Sequence, residues 1–179
     1  MSQKLKELTS PYQPRKYWEA RWKTQPTTPL TGFYKNLKKL LRKHKCDSVL
    51  EVGCGEAVGS RALKNYAGLD FSETALEKTQ AETKMNWDIT QPLPLPENWY
   101  DAVLSRMTLL HIPHAGIQVA VDNMRHTAKK LIILCEYPDL SEVHLWRHCF
   151  NHNLRKLFAG ANVVFVDGDG EANDLVYTQ

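Results

Sequence analysis

A chain of 179 residues, 42% hydrophobic and 24% charged, carries enough apolar material for one cored domain without disulfides or a structural metal. Its longest apolar run, LIILC, falls far short of the ~18 residues that cross a bilayer, and MSQKLKELTSPYQ at the start has no apolar h-region, so neither a membrane span nor a secretory leader is expected. The net charge of +3 is unevenly placed: residues 1–46 hold twelve Lys or Arg against Glu7 and Glu19, and the rest of the chain is net acidic, an asymmetry that marks either a nucleic-acid or membrane surface or an ordinary solvated face.

Prolines at 11, 14, 26 and 29 make residues 1–32 an arm, interrupted by one short helix at RKYWEARWK. From Phe33 the pattern turns helical, with Phe33, Tyr34, Leu37, Leu40 and Leu41 on one stripe and lysines and arginines around it. Strand-like and helix-like segments then alternate. SVLEVG is followed by a short helix from about Val58, AGLDF by a helix from Ser72 to about Thr83, and KMNWDI by a proline-rich loop and DAVLSR. A helix from about Pro113 leads to LIILCEY, a helix from about Asp139 to Phe158 leads to NVVFVDG, and NDLVYTQ closes the chain. Strands separated by helices predict βαβ units and a mostly parallel sheet, whereas the short DGEA link makes the last two strands an antiparallel hairpin. The division expected is an arm or lid over 1–32 and an α/β domain over 33–179.

The stretch SVLEVGCGEAVGS reads as a buried strand running into a glycine turn, yet it carries Glu51 and Glu56. The spacing Gly53, Gly55, Gly59 is one residue longer than the dinucleotide fingerprint, and two carboxylates oppose a pyrophosphate. A ligand with a ribose and a cationic end fits these residues, and S-adenosylmethionine is such a ligand. Asp70, ending the second strand nineteen residues after Glu51, supplies an acceptor for two ribose hydroxyls. Asp88, ending the third, can accept from an adenine amino group, with Trp87 or Ile89 beside the ring. Three acids at successive strand ends lie on the edge where open α/β sheets bind ligands.

On these residues the segment 33–179 resembles a class I S-adenosylmethionine-dependent methyltransferase. The resemblance implies a three-layer, doubly wound α/β fold with seven strands in the order 3-2-1-4-5-7-6, strand 7 antiparallel. It implies cofactor contacts at Glu51, Gly53, Cys54, Gly55, Asp70, Phe71, Trp87, Asp88 and Ile89. Ser105, Arg106 and Met107, after the fourth strand, are implied wall residues. YWEARW is similar to an aromatic helix that closes over the cofactor in small-molecule branches, with Tyr17, Trp18 and Trp22 as cover and Arg21 a partner for the cofactor carboxylate. Ala57 departs from the pattern, standing where the family places a third glycine.

For an acceptor that must lose a proton, His111 and Glu136 are the catalytic candidates. Each has a structural alternative, the histidine as a packing residue and the glutamate as a cap or ion-pair partner. His144, His148 and His152 recur at helical spacing, but the apolar stripe through Val143, Trp146, Phe150, Leu154 and Leu157 turns them outward, so no metal site is expected. Four cysteines without a CxxC pair agree with a reducing cytoplasm. Methyl transfer to a small molecule under the arm is the leading expectation, with an RNA or protein acceptor bound through residues 1–46, or a non-catalytic cofactor-binding subunit, as alternatives. The oligomeric state is not legible.

Overall fold

The computed structural model describes residues 13–24, 29–136, 148–167 and 172–177. Helix α1 (Pro14–Thr24) lies in the arm and buries no residue, as its polar sequence dictates. Helix α2 (Thr31–Lys43) buries Phe33, Tyr34, Leu37, Leu40 and Leu41, the stripe read from the spacing. Strands β1 (Val49–Val52), β2 (Tyr66–Asp70), β3 (Thr83–Asn86), β4 (Tyr100–Arg106), β5 (Ala128–Cys135) and β6 (Val163–Val166) pair in parallel, in the order 3-2-1-4-5-6. Helices α3 (Glu73–Lys78), α4 (His114–Thr127) and α5 (Leu154–Leu157) complete the connections.

Alternation along the strands feeds two cores. Val49, Leu104, Leu131, Ile133 and Val164 pack under α2, while Leu50, Val103, Ile132, Leu134 and Val163 pack under Ile117, Ala120, Val121 and Met124 of α4. Both faces of the sheet are therefore covered, which is why β1 is buried at every position.

The order departs from expectation at one edge. Strand β7 (Ala172–Tyr177) pairs antiparallel with β6 on its outer side, whereas the expected order put strand 7 between 5 and 6. That slot is filled because β6 bonds directly to β5 through Ile132↔Val163, Ile133↔Val164 and Leu134↔Phe165.

Two helices are shorter than predicted. α3 starts at the Ser72 cap, whose Oγ accepts from Ala75 N at 3.2 Å, and ends before Thr79, which is extended. Gln80 is drawn instead to the glycine turn: its N–H donates to Glu56 O at 2.9 Å and its Oε1 accepts from Gly59 N at 3.0 Å. The short helix expected from Val58 is a single 3-10 turn, Ser60–Ala62.

Of the helix predicted over 139–158, residues 139–147, His144 included, lie outside the described residues. Residues 148–153 are not helical, because the turn after β4 takes their bonding groups: Phe150 N donates to Leu110 O at 2.6 Å and His152 Nε2 bonds Ile112 O at 2.8 Å. α5 begins afresh at the Asn153 cap, whose Oδ1 accepts from Lys156 N at 2.9 Å. His152 is thus buried, contrary to the outward face expected of it.

Leu37, 1% exposed in the α2 layer, tests this packing. Leu37→Ala should cost about 2–5 kcal/mol, read as a lower urea midpoint, against less than about 0.5 kcal/mol for Lys35→Ala on the exposed face of the same helix.

Candidate functional site

A cavity of about 660 Å³ lies over the carboxyl ends of β1, β2, β3 and β4, roofed by α1. The parallel register brings Glu51, Asp70 and Arg106 to that edge, and the turn after β3 adds Asp88.

Glu51 forms part of the cavity wall and is 2% exposed. Its Oε2 accepts from Tyr34 Oη of α2 at 2.9 Å and from Tyr66 Oη of β2. Burial pushes its carboxyl up to about 7 from an ordinary 4.5, against the opposing pull of both phenols and of the Arg106 charge. Burial also raises Asp70, whose bonds from Ser72 N and Gly55 N act the other way. Those bonds, 2.8 Å to Oδ1 and 3.0 Å to Oδ2, tie the glycine turn to the end of β2. A carboxylate has about four acceptor sites, so Asp70 retains capacity for a diol. Asp88 Oδ1 accepts from Thr90 N at 2.9 Å and Thr90 Oγ1 at 2.7 Å, leaving Oδ2 outside that turn. The second acid of the turn, Glu56, pairs with Lys78 Nζ of α3 at 3.5 Å.

Gly53 (φ +66°) and Gly55 (φ +53°) hold conformations that favour glycine. A Cβ would meet Thr108 at 2.3 Å from the first position and the Trp22 ring at 2.6 Å from the second. Ala57 adopts φ +46° where the resemblance implied glycine, and Met107 adopts φ +50°. Both line the cavity, so backbone strain of about 1–3 kcal/mol per residue is concentrated there.

The cavity brings together Glu51, Gly53, Cys54, Gly55, Asp70, Phe71, Trp87, Asp88, Ile89, Arg106, Met107, Arg21, Trp22 and the catalytic candidate His111. It does not bring in Glu136 or Ser105. Glu136 is buried: its Oε1 accepts from Ser105 Oγ at 2.7 Å, Thr108 N at 2.7 Å and Leu109 N at 3.0 Å, which fixes the turn after β4. The expected acceptor-facing carboxylate is therefore a brace for that turn. Tyr17 stacks on His148, with centroids 4.7 Å apart, rather than lining the cavity. The reading of the sequence missed Arg15, Gln91, Thr108 and Ala115 as wall residues. Arg15, one turn before the aromatic pair of α1, carried a signal; the other three had no chemistry to single them out.

His111 Nδ1 lies 2.8 Å from His148 O, which fixes the proton on Nδ1 and leaves the lone pair on Nε2. Burial depresses this imidazole to about 4; the His148 carbonyl opposes that shift, and the His148 and Arg21 charges add to it. It is neutral near pH 7.

A glycine turn after β1 with an acid at the end of β2 defines a nucleoside-cofactor site of the Rossmann-like class. Residues 50–131 match the family described as methyltransferase domain. No curated protein matches the chain in sequence. Among solved structures, the sugar N-methyltransferase KedS8 from Streptoalloteichus sp. is similar, with TM-score 0.53 and 15% identity over 72% of this chain and 55% of that one. DesVI from Streptomyces venezuelae gives TM-score 0.53 and 17% identity over 65% and 55%. Magnesium protoporphyrin IX methyltransferase from Synechocystis PCC 6803, solved with S-adenosylmethionine bound, gives TM-score 0.53 and 16% identity over 82% and 80%. The chain spans little more than half the length of the first two. It has the class I methyltransferase fold.

Because Glu51 binds its proton more tightly in the folded protein, its ionisation lowers stability as pH rises from about 4.5 to about 7, with no further effect above. Urea midpoints at several pH values from 4.5 to 8 should fall more steeply for the wild type than for Glu51→Gln; parallel profiles would assign Glu51 an ordinary pKa.

Proposed function

We propose that this protein transfers the methyl group of S-adenosylmethionine to a small-molecule acceptor held in the cavity beneath α1. The observation that carries this reading is the convergence of Glu51, Asp70, Asp88 and the glycine turn on one cavity. The donor set suits the cofactor: an acid for the ribose diol, one for the adenine side, and buried carboxylates for a cationic end. Bound there, the cofactor supplies a methyl group activated by its sulfonium.

The residues of the chain do the rest. Asp70 holds Gly55 N–H and has acceptor capacity for two hydroxyls; Glu51, with its raised pKa, gains from a positive neighbour. Arg15, Arg21 and Arg106 are cations in the cavity wall, of which Arg15 is engaged with Phe71 O. His111, neutral and with its Nε2 lone pair available, can accept a proton from a hydroxyl, thiol or ammonium acceptor. Trp18 and Trp22 of α1 also line the cavity, which supports the arm as a lid that excludes water and orients the acceptor. The sugar and porphyrin methyltransferases that share the fold support a small acceptor.

Calorimetric titration with S-adenosylhomocysteine, with NAD as control, should show micromolar binding of the former alone, and Asp70→Ala should weaken it at least tenfold. No binding, or an unchanged affinity in the variant, would overturn the cofactor assignment. Deletion of residues 1–24 should leave a cooperative unfolding transition in place, because α1 buries no residue, while impairing methyl transfer. Loss of that transition would make the arm part of the core.

A further inference from the structure

We propose that His111, His148 and Cys149 form a binding site for a borderline-soft divalent cation, zinc first, beside the cavity that His111 lines. One ring nitrogen of each histidine and the cysteine sulfur lie within 4.8 Å of one another. The histidine spacing in the sequence pointed to a different group, 144, 148 and 152. The fold instead removes His152 to the interior and joins His148 to His111, on the turn after β4, and to a sulfur.

The geometry is that of ligands. Cys149 Sγ is 3.6 Å from His111 Nδ1. Two ligands on a tetrahedral zinc, at Zn–N of ~2.0–2.1 Å and Zn–S of ~2.3 Å, stand about 3.5 Å apart. The rings of His111 and His148 stack with centroids 5.2 Å apart and planes 29° apart. The bonds that abolish the expected helix, Phe150 N to Leu110 O and His152 Nε2 to Ile112 O, hold the two segments together, so the cluster is largely preorganised.

The surroundings are mixed in charge and consistent with a cation held by thiolate. The charge of nearby Arg21 opposes a dication, whereas Cys149, ionised on ligation, would offset that charge. Neutral imidazole is the ligating form. In the arrangement without metal, His111 Nδ1 bonds His148 O, and Tyr17 Oη lies 3.4 Å from His148 Nε2. Ligation through His111 Nδ1, the nitrogen beside Cys149 Sγ, would require that nitrogen to give up its proton and its bond to His148 O. Three protein ligands leave a fourth position for water or for an acceptor thiol or hydroxyl. Ligation of His111 would then replace its service as a base, because the metal itself lowers the pKa of what it binds. The site stands on its own geometry, independent of the methyl-transfer reading.

The test is titration of the metal-stripped full-length protein with zinc against a chromophoric chelator, followed by cobalt(II) substitution. The expected result is one zinc per chain and a thiolate-to-cobalt charge-transfer band, with zinc affinity at least tenfold weaker in Cys149→Ser and in His148→Ala. His126→Ala, at an exposed site near Leu95, should bind as the wild type does. Absence of zinc binding, undiminished binding in both ligand variants, or equal loss in His126→Ala would each overturn the proposal. Circular dichroism and thermal melts establish that each variant is folded; should one fail, the other decides. Titration with S-adenosylhomocysteine in the presence of chelator reports separately on the cofactor, so failure of either idea is distinguishable.

Discussion

The buried carboxylate of Glu51 is the constraint on which the site depends. An isolated charge in a protein interior is costly, and the chain offsets part of that cost with two phenol donors, Tyr34 from α2 and Tyr66 from β2. Three elements are thereby locked around one oxygen: α2 to the strand it covers, and β2 to its neighbour β1. The two rings meet edge to face, 5.8 Å apart, so the polar contact sits within an aromatic one. The compensation is incomplete, as the raised pKa records. A site that holds a carboxylate near half-ionisation at neutral pH gains most from a positively charged ligand, because ligand binding and ionisation then favour each other.

The glycine turn extends that logic to the backbone. Asp70 grips it from one side, and Gln80, recruited at the expense of α3, grips it from the other. Ala57 and Met107 are held at positive φ around the same cavity, and Glu136 fixes the turn that carries Met107 with three hydrogen bonds. Buried polar groups that look catalytic can thus be spent on geometry. A carboxylate with three donors on one oxygen positions Thr108 and Leu109, and it has little freedom left to meet an acceptor.

The residues of the chain reveal the site far better than its margins, for a physical reason. Asp70 was legible because it terminates an apolar run, Glu51 because it is an acid within a buried strand and Asp88 because it follows β3 closely, and parallel strands in register bring these positions to one edge. Glu136 also ends a strand, but the side toward which its carboxylate turns depends on where the β4 turn presents its N–H groups, a tertiary fact. The segment 148–153 misled because Trp146, Phe150 and Leu154 imitate a helical stripe, while the bonds that decide its shape come from Leu110 and Ile112, some forty residues away. Asn153, a good cap, was the available signal for a helix starting late. The place of β7 was equally hidden: a short link dictates a hairpin, but not the side on which the hairpin lies.

The arm shows how a cover can be specific without being part of the core. α1 buries no residue, yet it touches the body at named points: Arg15 donates to Phe71 O at 2.5 Å, Glu19 accepts from Glu73 N at 2.8 Å and Thr74 Oγ1 at 2.6 Å, and Lys78 Nζ reaches Trp22 O. Trp18 meets His111 edge to face at 4.7 Å, and Trp22 lies against the glycine turn. Hydrogen bonds of this kind are worth about 0.5–1.5 kcal/mol each, up to about 3 where a charged group takes part, and water replaces most of them when they break. Detaching the helix therefore exposes only partly buried aromatics and leaves the cores on the two faces of the sheet untouched. On the lid reading proposed above, a cover so held would open at a small fraction of the cost of unfolding, while each contact it makes reports on β2, α3 or the turn after β4. Those are the elements that shape the cavity, so any ligand that steadies them also favours the closed arm.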